Sequence, residues 1–143
     1  MHKHADKRIL PYTAQQMFDL VKDVEAYPDF LPWCDGLRIK KRMEKEIIAD
    51  MLVGFKGVSE KFTSQVYFDE EKKAITVQYK DGPFKSLINT WNFSDIEAGC
   101  ELNFYIEFEF KNKMLDMMIA PAFNTVVKKM VKAFFDRAHE IYG

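Results

Sequence analysis

Few side chains in this 143-residue chain are placed to do chemistry. Glu60 is the one carboxylate that shares strand parity with the apolar Phe62 and Val66. Buried there, a carboxyl is pushed up by desolvation and can donate a hydrogen bond or act as a general acid. A bulge at the start of the strand would instead leave it solvated. Ser64, Asn89 and Tyr79 share parity with apolar neighbours and can donate to a ligand's carbonyl oxygens. His2 and His4 form a pair at a frayed end with no third ligand nearby, so no metal is expected. His139 falls in the last turn of a helix, where a cation suits the dipole. Cys34 and Cys100 are the only cysteines and form no CxxC pair; they read as packing residues of a protein in a reducing compartment. No Ser/His/Asp or Cys/His constellation and no glycine-rich phosphate loop is evident. The inventory points to a protein that binds rather than one that catalyses, with no resident cofactor.

The elements that must position these groups follow from periodicity. Residues 3–10 read as a strand stopped by Pro11. Thr13 and Gln16 have capping-box spacing, so a helix should run over 14–24 and bury Met17, Val21 and Val24. Pro28 suits the first turn of a short second helix, and Pro32 ends it. From Gly36 the period changes to 2, giving strands over 37–43, 46–55, 58–68, around 75–79, 84–94 and 100–110. Residues 114–120 form a separate helical turn before a long helix over 121–142, whose stripe is Phe123, Val127, Met130, Phe134, Ala138 and Ile141, flanked by Val126, Val131 and Phe135. The whole chain, 1–143, is one α+β domain of the helix-grip kind: a curved antiparallel sheet wrapped around a long C-terminal helix, with two short helices after the first strand. Such an arrangement can leave a cavity between sheet and helix.

Composition narrows the partners. Lys plus Arg is 21 and Asp plus Glu is 22, so no global basic field draws the chain to DNA. No apolar run approaches the roughly 18 residues of a membrane span, and the charged N-terminus lacks a signal peptide's apolar stretch. A soluble, cytoplasmic protein is expected, able to sit peripherally at a membrane. Aromatic residues reach 15%, with 13 phenylalanines, more than plain packing of so short a chain requires. Phe62, Val66, Val77, Tyr79, Leu87, Trp91, Phe104, Ile106 and Phe108 can wall a cavity, roofed by Phe123, Val127, Met130 and Phe134. The same pattern also describes ordinary core.

The stretch from Tyr27 to Cys34 sets Tyr27, Phe30, Leu31 and Trp33 among Pro28 and Pro32. It either plugs one end of the core or forms a gate that touches a membrane, where Trp and Tyr suit the headgroup level. Phe55 and Lys56 at a hairpin tip can do the same. Lys111, Lys113, Lys128, Lys129 and Lys132 gather near the last strand and helix. They read as the solvated face of an amphipathic helix, or as a patch for anionic lipid or ribosomal RNA.

Three stretches carry a resemblance. Tyr27-Pro28-Asp29-Phe30-Leu31-Pro32-Trp33-Cys34 is similar to a YPxFLPWC segment. Val53-Gly54-Phe55-Lys56 with Glu60-Lys61-Phe62 is similar to a VGFK…ExF hairpin. Met130 to Ala138 with Tyr142-Gly143 resembles an MVxAFxxRA…YG ending. The family with these motifs is the coenzyme Q-binding START-domain proteins, within the START/polyketide-cyclase-like superfamily, whose bacterial members are often labelled ribosome-association toxins. The resemblance implies a START/Bet v 1-like helix-grip fold. It also implies noncatalytic binding of ubiquinone or a similar isoprenoid lipid in support of respiration, at the inner membrane. The toxin label implies a different activity, binding the large ribosomal subunit and blocking subunit joining. A third expectation, from the superfamily, is a cyclase or dehydratase using Glu60 and Tyr79. A chain that starts almost at its first strand sets the expectation of a bacterial form.

A prenyl tail demands apolar surroundings, because each CH₂ left in water costs about 0.8 kcal/mol. The quinone reading therefore expects a sealed apolar cavity with a few donors.

Overall fold

A computed structural model of the chain describes residues 1–55 and 57–143. Strand β1, His2–Leu10, runs into Pro11, and helix α1, Ala14–Lys22, follows. The capping box forms: the Gln16 N–H donates to the Thr13 hydroxyl at 3.0 Å, and the Thr13 N–H donates to the Gln16 side chain at 2.9 Å. The helix ends two residues sooner than its periodicity suggests. Val24 is buried as expected, but from a 3₁₀ turn over Val24–Ala26. Pro28 has no N–H to give the Val24 carbonyl, so one continuous helix through this stretch could not close its ladder. Helix α2, Tyr27–Phe30, is a single turn with Pro28 near its start.

Six strands then form a meander: β2 Cys34–Arg42, β3 Glu46–Phe55, β4 Val58–Asp69, β5 Ala74–Asp81, β6 Phe84–Ile96 and β7 Gly99–Phe110. All neighbours are antiparallel, and β1 closes the far side against β7, giving the order β1-β7-β6-β5-β4-β3-β2. Register shifts in β2, at Lys80 of β5 opposite Thr63 and Ser64, and between Phe84 and Ser86 in β6 bend the strands, and this curvature lets the sheet wrap a helix. The shift in β6 also turns Phe84 inward alongside Leu87, Asn89 and Trp91, which alternation alone does not predict.

Helix α3, Lys113–Ile119, is capped by Asn112, whose side chain accepts from the Met114 and Leu115 N–H groups at 2.8 and 3.3 Å. A 3₁₀ turn containing Pro121 leads into α4, Phe123–Tyr142, which lies across the concave face. Its buried stripe is Phe123, Val127, Val131, Phe134 and Ala138. This corrects the expected one: Val131 is fully buried, while Ile141 is exposed. Steps of four and three residues carry the stripe on to Tyr142, whose hydroxyl donates to the Gln16 carbonyl at 2.9 Å and ties α4 to α1.

Gly82 shows how closely one turn is packed. It has φ +140°, and a Cβ there would lie 2.7 Å from the Cβ of Phe62.

Candidate functional site: an apolar cavity between sheet and helix

Between the concave sheet, α4 and the turn at Tyr27 lies a cavity of about 130 Å³. Phe62, Ser64 and Val66 reach it from β4, Val77 from β5, Leu87, Asn89 and Trp91 from β6, and Ile106 from β7. Met130 and Phe134 come down from α4. Val24, Leu37, Ala49, Met51 and Ile75 complete the wall and are absent from the sequence expectation of the site. Ala49, Met51 and Ile75 share strand parity with predicted wall residues, a signal that could have placed them.

Five expected wall residues lie elsewhere. Phe104 is buried against the Trp91 ring, at 4.8 Å between centroids, behind the cavity wall. Phe108 and Phe123 meet each other at 5.3 Å and each packs tilted against His2 at 5.4 Å, filling the space between β1, β7 and the start of α4. Val127 belongs to the same closed packing. Tyr79 sits at the strand end, where its hydroxyl accepts from the Phe84 N–H at 3.2 Å. For the other four the physical reason is common: α4 packs directly on the β1/β7 side of the sheet and stands off from the β3–β6 side, so strand parity cannot separate wall from core.

Ser64 and Asn89 are the buried polar residues of the described core, and both face this cavity. Asn89 is largely committed. Its amide donates to the Tyr105 carbonyl at 2.8 Å, and its oxygen accepts from the Trp91 indole N–H at 2.8 Å. The Ser64 hydroxyl makes no hydrogen bond among the described residues. It is the polar atom most available to a ligand.

The Tyr27–Trp33 segment divides. Tyr27 and Phe30 meet the Phe134 ring edge-on, each at 5.2 Å, and Leu31 is buried, so these three plug one end of the cavity. The Tyr27 hydroxyl donates to the Val21 carbonyl, and burial pushes this phenol far above its ordinary value. Pro28 is exposed and Pro32 half-buried. Trp33 turns the other way in a left-handed conformation, φ 66°, and packs edge-on against Phe55 at 6.0 Å. The expectation for Lys56 lies outside the described residues.

Glu60 is half-buried on the inner face, in a smaller apolar chamber of about 70 Å³ that it shares with Val53, Phe55, Val58, Phe110, Leu115, Met118 and Ile119. The β3–β4 ladder runs through it without a register shift, so no bulge turns it out. It nonetheless stands apart from the main cavity. An aromatic partition separates the two: Phe84 meets Phe62 at 5.2 Å and Phe108 at 5.4 Å, and stacks on Phe110 at 4.8 Å. Helix α3 closes this outer chamber.

The tie that holds α3 down joins residues far apart in the chain and is not legible in the sequence. The Asp116 carboxylate pairs with the His2 ring at 2.9 Å and accepts from the Phe110 N–H at 3.0 Å. Burial pushes Asp116 up, but these two donors outweigh it and hold the carboxyl below its ordinary value. Burial raises both thiols, Cys34 and, to about 11, Cys100. Lys111, Lys113, Lys128, Lys129 and Lys132 are all exposed, and Lys132 pairs with Asp136 at 2.7 Å. His139 is exposed in the last turn of α4.

Comparison with known proteins agrees with this geometry. Residues 10–135 match the family described as polyketide cyclase / dehydrase and lipid transport. A Rickettsia prowazekii protein named ribosome association toxin RatA is 39% identical over 137 residues, covering 94% of each chain. The Xenopus laevis coenzyme Q-binding protein COQ10 homolog B, mitochondrial, is 31% identical over 145 residues, spanning 99% of this chain and 59% of that protein. The solution structure of an 18 kDa Caulobacter crescentus protein superposes with a TM-score of 0.82 at 38% identity, covering 100% of this chain and 99% of that one. The chain belongs to the polyketide cyclase/dehydrase and lipid-transport family, within the START-like superfamily whose helix-grip architecture it adopts.

Proposed function

We propose that this protein binds a lipid of the isoprenoid quinone class in the cavity and carries it without converting it. The observation that supports this most is an apolar cavity whose one uncommitted polar group, among the described residues, is the Ser64 hydroxyl. Its volume of about 130 Å³ is close to the roughly 150 Å³ of an apolar cavity that stays dry and accepts benzene. A quinone ring suits that space, with a carbonyl oxygen accepting from Ser64. A prenyl tail exceeds it and would extend past Phe62 and Phe84 into the outer chamber beneath α3. Such a carrier would serve respiration from the cytoplasmic side of the inner membrane. The name of the Xenopus relative supports the ligand class.

Catalysis is not favoured. The described wall offers Ser64, Asn89 and Tyr27 as its polar side chains, and the Tyr27 hydroxyl is spent on a backbone carbonyl. Glu60 lies in the other chamber and Tyr79 outside both.

The test is to purify the protein from a quinone-producing host, extract it with organic solvent and identify the lipids by mass spectrometry. Stoichiometric quinone is expected. Well-folded protein that yields none and does not take up a short-chain ubiquinone in titration would reject the reading.

A second reading has its own support: relatives named ribosome association toxin, and the exposed Lys128 and Lys129 on the outer face of α4. It expects salt-sensitive cosedimentation with the large ribosomal subunit that weakens when these two lysines are neutralised. No cosedimentation at low salt would remove it.

A further inference from the structure

Helix α3 is apolar on both faces. Leu115, Met118 and Ile119 point down and close the outer chamber. Met114 and Met117, three residues apart on the opposite face, point out and are 80% and 74% exposed. A seven-residue helix that presents two thioethers to water is a poor outer surface for a protein that stays in water, since paired apolar exposure usually marks contact. The charges around it are as specific. Beside the helix lies a depression lined by Lys85, Lys111 and Lys113 together with Phe110 and Met117. The two carboxylates there are already occupied: Glu109 by Lys85 at 3.3 Å and the N-terminal amine at 3.6 Å, and Asp116 by His2. Lys111 and Lys113 form no ion pair among the described residues. Unpaired cations flanking protruding apolar side chains complement a surface that is anionic outside and hydrocarbon beneath.

We propose that α3 and this depression are a docking surface for an anionic phospholipid bilayer. Met114 and Met117 enter the headgroup–acyl boundary, and Lys111 and Lys113 meet lipid phosphates. The proposal deepens the carrier reading, on which its purpose rests, because it sets the helix that closes the outer chamber against the membrane that holds the cargo. A protein partner fits the patch less well. Its cations are lysines, which protein interfaces deplete, where such interfaces favour aromatic and arginine anchors. Lysine methylene stems also lie readily along a bilayer interface.

Flotation with phosphatidylcholine vesicles, with and without phosphatidylglycerol, tests it. The expected result is binding only to the anionic vesicles, weakened by salt. Lys111→Glu with Lys113→Glu should weaken it at least about thirtyfold, since each lysine near an anionic surface is worth about 1 kcal/mol. Met114→Ser with Met117→Ser should weaken it at least about tenfold. Both pairs are exposed, so thermal unfolding should be unchanged. Equal binding to neutral vesicles, no binding, or binding insensitive to the methionine pair overturns the proposal. So does methionine-dependent self-association by sedimentation, which would give the face to a second copy of the chain. Organic extraction of the same samples separates the two readings. Docking with neither extracted cargo nor uptake of short-chain ubiquinone sinks the carrier reading alone, and cargo without docking sinks this one alone.

Discussion

Replacing Ser64 with alanine should move stability and binding in opposite directions. The side chain is 6% exposed, faces the apolar cavity and has no hydrogen-bond partner among the described residues. A buried, unsatisfied hydroxyl costs the fold about 1–3 kcal/mol. The hydroxyl borders the cavity rather than being sealed within close packing, so the low end applies, and Ser64→Ala should stabilise the ligand-free protein by about 1 kcal/mol. For a domain of this size that is a rise in Tm of about 3 °C. In the complex the same hydroxyl donates to a ligand carbonyl, a net gain of about 1 kcal/mol, so the substitution should weaken binding about fivefold. The assay is thermal unfolding of delipidated protein together with titration by a short-chain ubiquinone, read through the fluorescence of Trp91 in the cavity wall. A variant that melts lower than the parent, or binds the quinone equally well, would refute the reasoning.

Ala49→Leu should fill part of the cavity, cutting ligand affinity at least about tenfold while costing the fold no more than about 3 kcal/mol, measured by titration and urea unfolding. Phe104→Ala should cost about 3–5 kcal/mol in urea unfolding, because the ring is buried against Trp91. It should leave ligand position unaltered, since Phe104 does not line the cavity. Gly82→Ala should destabilise by about 1–3 kcal/mol, through its positive φ and the clash with Phe62, and a melting curve checks this. The Cys100 thiol, raised to about 11 by burial, holds its proton more tightly in the fold than in the unfolded chain. Its contribution is therefore intact below the ordinary thiol range near 9 and lost as pH climbs from there to about 11. Stability should fall across that window, and Cys100→Ser should flatten the fall.

The elements were legible where their cause is local. The Thr13–Gln16 capping box, the inward set Ile47, Ala49 and Met51, and the break at Pro28 depend on residues a few positions apart. Helix α3 was legible for the same reason, although not its meaning. That Met114 and Met117 face outward depends on what Leu115, Met118 and Ile119 cover, and that surface is assembled from β3, β4 and β7. The inward turn of Phe84 was illegible because a one-residue register shift reverses every side chain beyond it, and the shift is set by pairing with β7.

The sequence by itself determined a helix-grip domain and the family it belongs to, because periodicity and motif spacing are properties of the chain. Outside the register shift at Phe84 it determined which strand residues face the concave side, Ser64 and Asn89 among them. Only the tertiary structure decided which of those residues border empty space. Ile106 and Phe108 share a strand, a parity and a chemistry, yet one lines the cavity and the other is packed against Phe123 and His2. Parity records the side of the sheet, whereas a cavity is the distance between that side and α4. The tilt of α4, pinned by Tyr142 on Gln16 at one end and by Phe123 against the His2 ring at the other, sets that distance.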